Sequence, residues 1–160
     1  MDARQSPRRL VAVFSSPVAE MLLRFGVELG FRSVLVEPDP TRLLGPPRPH
    51  GDTYVGDLAA AGVDEHTDVV LTDHHRHEIG TILKQVLAGG PRWVGIVGNP
   101  RHEGPHVAAL RDLGVGDAEI ARVHRPVGLN IGSRTPAEIA VAILAGLIAD
   151  RNDRPGGFDF

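Results

Sequence analysis

Residues 10–37 read LVAVFSSPVAEMLLRFGVELGFRSVLVE. The apolar run Leu10–Phe14 has the length and character of a buried strand. After it, Val18, Met21, Leu22, Phe25 and Leu29 recur at helical spacing, and Gly30 closes the helix. Ser33–Glu37 (SVLVE) is a second apolar strand. A strand, a helix and another strand within so few residues, with neither strand alternating in polarity, is a crossover unit of a parallel sheet covered on both faces.

The same rhythm continues outward. TYVGD reads as a short strand and LAAAGV as a short helix; Asp68–Thr72 is a strand, His77–Gly90 a helix with a glycine stop, and Trp93–Gly98 a strand. Pro105–Val115 and Asp117–Val123 read as helices, with Asp117 near the start of the second. Thr135–Asp150 is the last helix. The stretch Pro38–Asp52 is too rich in proline for regular structure. The expected fold is therefore α/β: three layers, a doubly wound and mostly parallel sheet, and helices on both faces. Residues 1–9 are expected as a flexible tail, 10–150 as a single domain, and 151–160 as a second tail, loose unless Phe158 and Phe160 dock on something.

Composition narrows the function classes. With 160 residues, 42% hydrophobic and 23% charged, the chain can build one core without staples. A net charge of -3 and the lack of a long basic run point away from nucleic acid. No apolar stretch is long enough to span a bilayer; the longest, Ile139–Ala149, is too short. The expectation is a cytoplasmic protein. There is no cysteine, which excludes disulfides, thiolate nucleophiles and thiolate metal ligands.

Ligands of such sheets bind beyond the carboxyl ends of the strands. Those ends carry Ser15 and Ser16, then Glu37, then Thr72 with Asp73 and His74, then Gly98 and Asn99. The loop Pro126–Thr135 joins them because it precedes a helix start. The first turn, Phe14-Ser15-Ser16-Pro17, holds no glycine where a phosphate loop would sit. Pro17 at the first helical position has no N–H, and Ser16 before it is a good helix cap. A capped helix without phosphate is the favoured reading, with Ser15 and Ser16 hydroxyls replacing lost donors as the other. Glu37 stands where an acidic residue would meet a ribose hydroxyl.

Among Asp73, His74, His75, His77 and Glu78, the H-E-x-x-H spacing is absent. The expectation is no metal, Asp73 as a helix cap, and His74 facing a ligand. The strongest local pattern is His124–Ala140. Thr135-Pro136-Ala137-Glu138 has the form of a capping box, and before it Gly128 and Gly132 flank Leu129-Asn130-Ile131. This loop either packs under the sheet edge or offers backbone amides to an anion.

RVHRPVGLNIGSRTPAEIAVAILAGLIA resembles the closing signature of the XdhC/CoxI family, in its C-terminal Rossmann-like domain. RWVGIVGNPRH, DVVLTDHHRHE and VAEMLLRFGVELGFRSVLVEPDP resemble its other motifs, in order over residues 10–150. The resemblance implies help in maturing molybdenum hydroxylases such as xanthine dehydrogenase. Such proteins bind molybdenum cofactor (molybdopterin), support its sulfuration and deliver it to the apoenzyme. Longer members add an N-terminal domain, so the chain reads as a stand-alone half.

The departures are specific. Phe14-Ser15-Ser16-Pro17 replaces Gly-Ala-Gly-His, Asn130 replaces an Asp, and Asp73-His74-His75 replaces His-Asp-His. Asn99 replaces a Ser and Gly146 a Glu. The implied function is an accessory protein that handles molybdenum cofactor by binding rather than turnover. Ser15, Ser16, Glu37, Thr72, His74, Gly98, Asn99, Gly128, Asn130, Gly132 and Thr135 are its candidate cofactor-binding residues, with no catalytic residue among them. The implied partner is a molybdenum hydroxylase apoenzyme or a separate N-terminal-type XdhC/CoxI chain, with a homo-oligomer left open. The alternatives are an NAD(P)-dependent oxidoreductase, against which the missing glycine turn argues, and a non-catalytic interaction subunit.

Overall fold

The structure, a computed structural model, describes residues 8–44 and 53–160. Its strands are β1 (Arg9–Val13), β2 (Arg32–Val36), β3 (Thr53–Val55), β4 (Thr67–Leu71), β5 (Trp93–Ile96) and β6 (Val123–His124). Its helices are α1 (Pro17–Glu28), α2 (Leu58–Ala61), α3 (Ile79–Ala88), α4 (Pro105–Asp112), α5 (Asp117–Ile120) and α6 (Pro136–Arg151). They form one sheet in the order β3-β2-β1-β4-β5-β6. Every pairing is parallel, so the sheet described is wholly rather than mostly parallel. This is the doubly wound, Rossmann-like order, with its reversal between β1 and β4.

Alternation along the central strands builds two cores. From β1, Leu10 and Ala12 point to one face and pack with Leu22, Leu23, Ile143 and Leu147 of α1 and α6. Val11 and Val13 point to the other and pack with Ile82, Leu83, Val86 and Leu110 of α3 and α4. All five residues of β4 are buried, as expected for a central parallel strand. At its amino end the fully buried Asp68 accepts hydrogen bonds from Arg92 Nε (2.6 Å) and Arg151 Nε (3.0 Å). That brace fastens the end of α6 to the sheet, on the edge opposite the ligand rim.

Several boundaries differ from the sequence reading. Arg9 belongs to β1 and Arg151 to α6 rather than to the tails. β6 lies where the sequence reads the end of a helix. It is two residues long, and only pairing with β5 defines it as a strand. α3 begins at Ile79, two residues late, and its start has no side-chain cap. Asp73 instead accepts the N–H of His75 (2.8 Å) within a turn, so it caps no helix. Pro40–Arg42 forms a 3-10 turn inside the proline-rich connection, whose residues 45–52 lie outside the described region. Phe158 and Phe160 do not dock; both are fully exposed. No helix among the described residues is long and apolar enough to cross a membrane.

Candidate functional site

The order reversal makes the turns after β1 and β4 the flanks of the expected crevice. The turn after β1 has an unusual backbone. Phe14 adopts φ 77°, a left-handed conformation that glycine takes freely and a bulky side chain does not. Its ring is fully buried, and the guanidinium of Arg76 lies 4.3 Å above the ring centre.

Beside it sits an ion pair sealed from solvent. Glu37 is fully buried and accepts from Arg76 Nη1 (3.1 Å) and Nη2 (2.7 Å) in a two-pronged contact. The same carboxylate accepts the backbone N–H of Ser15 (2.8 Å) and of Asp39 (2.9 Å). Burial alone would push the Glu37 carboxyl up. The hydrogen bonds from Arg76, Ser15 and Asp39 outweigh it and hold the group below the ordinary carboxylate range. The bond to Glu37 raises Arg76 above its ordinary value in turn, so both stay charged.

Thus the N–H that a glycine-rich turn would offer to a pyrophosphate is taken here by a carboxylate of the same chain. The hydroxyls are engaged as well. Ser16 Oγ caps α1 by accepting the N–H of Ala19 (3.0 Å), and it donates to Thr72 Oγ1 (2.9 Å). The Thr72 hydroxyl donates to the Phe14 carbonyl (2.7 Å), and Ser15 Oγ accepts the N–H of Leu44 (3.0 Å). Ser15, Ser16, Glu37 and Thr72 are indeed brought together, but around each other. In place of a ribose hydroxyl, Glu37 meets Arg76. The sequence reading missed Arg76, which is hidden in the run His74-His75-Arg76-His77; a buried acid at the end of β2 is the only mark of it, and no spacing links the two.

The turns after β5 and β6 are different. Val97, Gly98, Asn130, Gly132 and Ser133 border an open cavity of about 460 Å³, walled by Pro126, Leu129 and Ile139. Among the described residues, the backbone N–H groups of Gly98, Asn99, Asn130, Gly132 and Ser133 find no protein acceptor. The start of the loop is seated on α6. Gly128 (φ 90°) lies against α6 so closely that a Cβ would stand 3.0 Å from the backbone of Ala142 and Ile143. Leu129 donates its N–H to the Ala142 carbonyl (3.0 Å), turning the helix flank into a platform for the loop.

At the end of the loop, Thr135 closes the capping box. Its hydroxyl accepts the N–H of Glu138 (3.2 Å), while the Glu138 carboxylate takes those of Arg134 (2.8 Å) and Thr135 (3.2 Å). Thr135 therefore fixes the loop's end rather than lining the cavity. Asn99 Oδ1 accepts the N–H of Arg101 (2.9 Å), leaving its amide NH2 group unengaged by the described residues. His74 is half-buried on the β4 side of the rim; burial lowers its pKa, and His75 and Arg125 add to the effect. No three His, Asp or Glu side chains among the described residues gather as a set of metal ligands.

Comparison with known proteins places this frame. The family described as the XdhC Rossmann domain matches residues 10–147. The chain belongs to that family. It is 28% identical over 162 aligned residues to the uncharacterized protein YqeB of Escherichia coli K12, covering 93% of this chain and 28% of YqeB. It is 23% identical to a protein of Bacillus subtilis 168 described as a probable xanthine dehydrogenase subunit, covering 89% of this chain and 43% of that protein. A crystal structure described as a xanthine dehydrogenase from Bacillus halodurans superposes with a TM-score of 0.73 at 25% identity, over 96% of this chain and 45% of that one. The chain thus spans less than half the length of these relatives. In this XdhC domain the half of the rim after β1 is closed by its own side chains. The half after β5 and β6 presents unpaired donors around a cavity of ligand size.

Proposed function

We propose that this XdhC domain is an accessory protein of a molybdenum hydroxylase of the xanthine dehydrogenase type, and that it holds molybdenum cofactor as cargo at the rim after β5 and β6. The observation that carries the reading is the cavity of about 460 Å³ with unpaired N–H donors at Gly98, Asn130, Gly132 and Ser133. The cofactor's phosphate and pterin carbonyl are hydrogen-bond acceptors, and a wall of backbone donors on a loop seated against α6 suits them. Gly128 and Thr135 hold the loop's shape, and Asn130 stands at the cavity's edge, with Asn99 and His74 on the neighbouring turns of the rim. The bound group brings the metal chemistry of the acceptor enzyme. The residues of this chain bind and orient it.

The first turn supports the same choice. A dinucleotide needs pyrophosphate donors there, and Ser15 N–H is already given to Glu37. The test is to mix the protein with cofactor released from a molybdoenzyme, pass it through gel filtration, and read the pterin by fluorescence after oxidation. Co-elution in stoichiometric amount is expected, with NADH and NADPH giving no saturable binding below millimolar concentration. Tight NADPH binding without cofactor retention would replace the reading with a dinucleotide enzyme. Association with a hydroxylase apoenzyme but no cofactor retention would leave a pure interaction module.

A further inference from the structure

Arg125 follows β6 and lies where two glycines make room for it. A Cβ on Gly98 would collide with Arg125 Nε and stand 2.8 Å from Cζ, so the guanidinium lies flat on the Gly98 backbone. A Cβ on Gly104 would stand 2.9 Å from Arg125 Cδ and collide with His106 Nδ1. The side chain is thus threaded between the turn after β5 and the start of α4. Nη1 donates to the carbonyl of His102 (2.6 Å), while Nε is buried with no acceptor.

No carboxylate among the described residues lies within 4.0 Å of this guanidinium. The other buried or half-buried arginines, Arg9, Arg76, Arg92, Arg122 and Arg151, each meet one, apart from Arg8 over the ring of Phe31. Arg125's neighbours are imidazoles instead. His106 is 5% exposed, and its Nδ1 is buried without a partner. Burial, then the charge of Arg125, lower its pKa. His74, its pKa lowered first by burial, also feels this charge from the β4 side, and Asp73 beside it accepts the N–H of His75 at Oδ1. A half-buried cation with the buried imidazole of His106 beside it at Gly104, and with free N–H groups at Gly98 and Asn99, lacks one component, a negative charge.

We propose that Arg125, with the backbone N–H groups of Gly98 and Asn99, is a seat for a phosphate monoester dianion. It stands beside the cofactor reading without resting on it. Gly98 and Pro126 also border the cavity, so an organic phosphate seated at Arg125 would extend its body toward the loop 128–133.

The test uses inorganic phosphate as the probe, titrated into 15N-labelled protein at constant ionic strength. Amide shifts at Gly98 and Asn99 are expected to saturate in the millimolar range. Arg125→Gln should weaken this about tenfold, the loss of charge-assisted hydrogen bonds. Arg125→Lys should fall between, since it keeps the charge and loses the fork. Gly98→Ala, which displaces the guanidinium, should weaken binding like Arg125→Gln. If Arg125→Gln does not fold, the Lys and Gly98→Ala titrations decide. Equal affinity across the folded variants would overturn the seat, as would shifts confined to Ser15–Ala19. Cofactor retention by a variant that no longer binds phosphate would overturn only a shared use of the seat, whereas phosphate binding by a protein that retains no cofactor supports the seat and contradicts the cofactor reading.

Discussion

Replacing Glu37 by Gln should damage the fold through the first turn. Glu37 is fully buried, and the Arg76 side chain is 3% exposed. The variant leaves an amide against a buried guanidinium, whose remaining anionic partner is Glu78 at 3.3 Å. Breaking one side of a sealed pair costs about 3 kcal/mol, a drop in Tm of roughly 6–12 °C for a domain of this size. The effect has a pH signature. The folded-state pKa of Glu37 lies below its ordinary value of 4.5, so its contribution is complete above that pH. It is lost as pH falls through the depressed folded-state value. The wild type and Glu37→Gln should therefore differ most at pH 7 and converge in acid. Adding Arg76→Met removes the stranded charge and should return half or more of the loss. Urea melts of the wild type, Glu37→Gln, Arg76→Met and the double variant, at pH 7 and in acid, measure this. A Glu37→Gln deficit that is absent at pH 7, or constant with pH, would refute the argument, as would simple additivity of the two substitutions.

Three further outcomes follow from the rim. Gly128→Ala combines a positive φ with a Cβ 3.0 Å from the α6 backbone, while Gly132→Ala has a positive φ and open space. The second should cost about 1 kcal/mol and the first clearly more, measured by chemical denaturation. Cofactor retention should fall further in Gly128→Ala than in Gly132→Ala. Thr72→Val keeps the shape but strands the Phe14 carbonyl and the Ser16 hydroxyl, for a loss of about 1–3 kcal/mol without affecting phosphate binding at Gly98. Thr135→Ala should cost about 1 kcal/mol and speed amide exchange in the first turn of α6.

The layers were legible because apolar runs such as Val11–Val13 and Val69–Leu71 are buried on both faces and separated by amphipathic stretches. The capping box at Thr135 was legible because its contacts span three residues. β6 was not, because Val123–His124 is a strand only through its pairing with β5. The Glu37–Arg76 pair joins residues 39 apart, and nothing local in either run announces the other. The first turn shows the same limit. The absence of glycine suggested a lost phosphate loop, but Phe14 keeps a glycine-like φ while the chain supplies its own anion. The rim after β6 was seen as a loop; its division into engaged and unengaged amides depends on where Ala142 and Glu138 place their acceptors.

Hydrogen–deuterium exchange of the protein with and without bound molybdenum cofactor compares the two halves of the rim in one experiment. The account predicts slowed exchange at Gly98, Asn99 and the loop 128–133, with Ser15–Ala19 unchanged. Protection centred on Ser15–Ala19, with the loop after β6 exchanging as in the free protein, would contradict it.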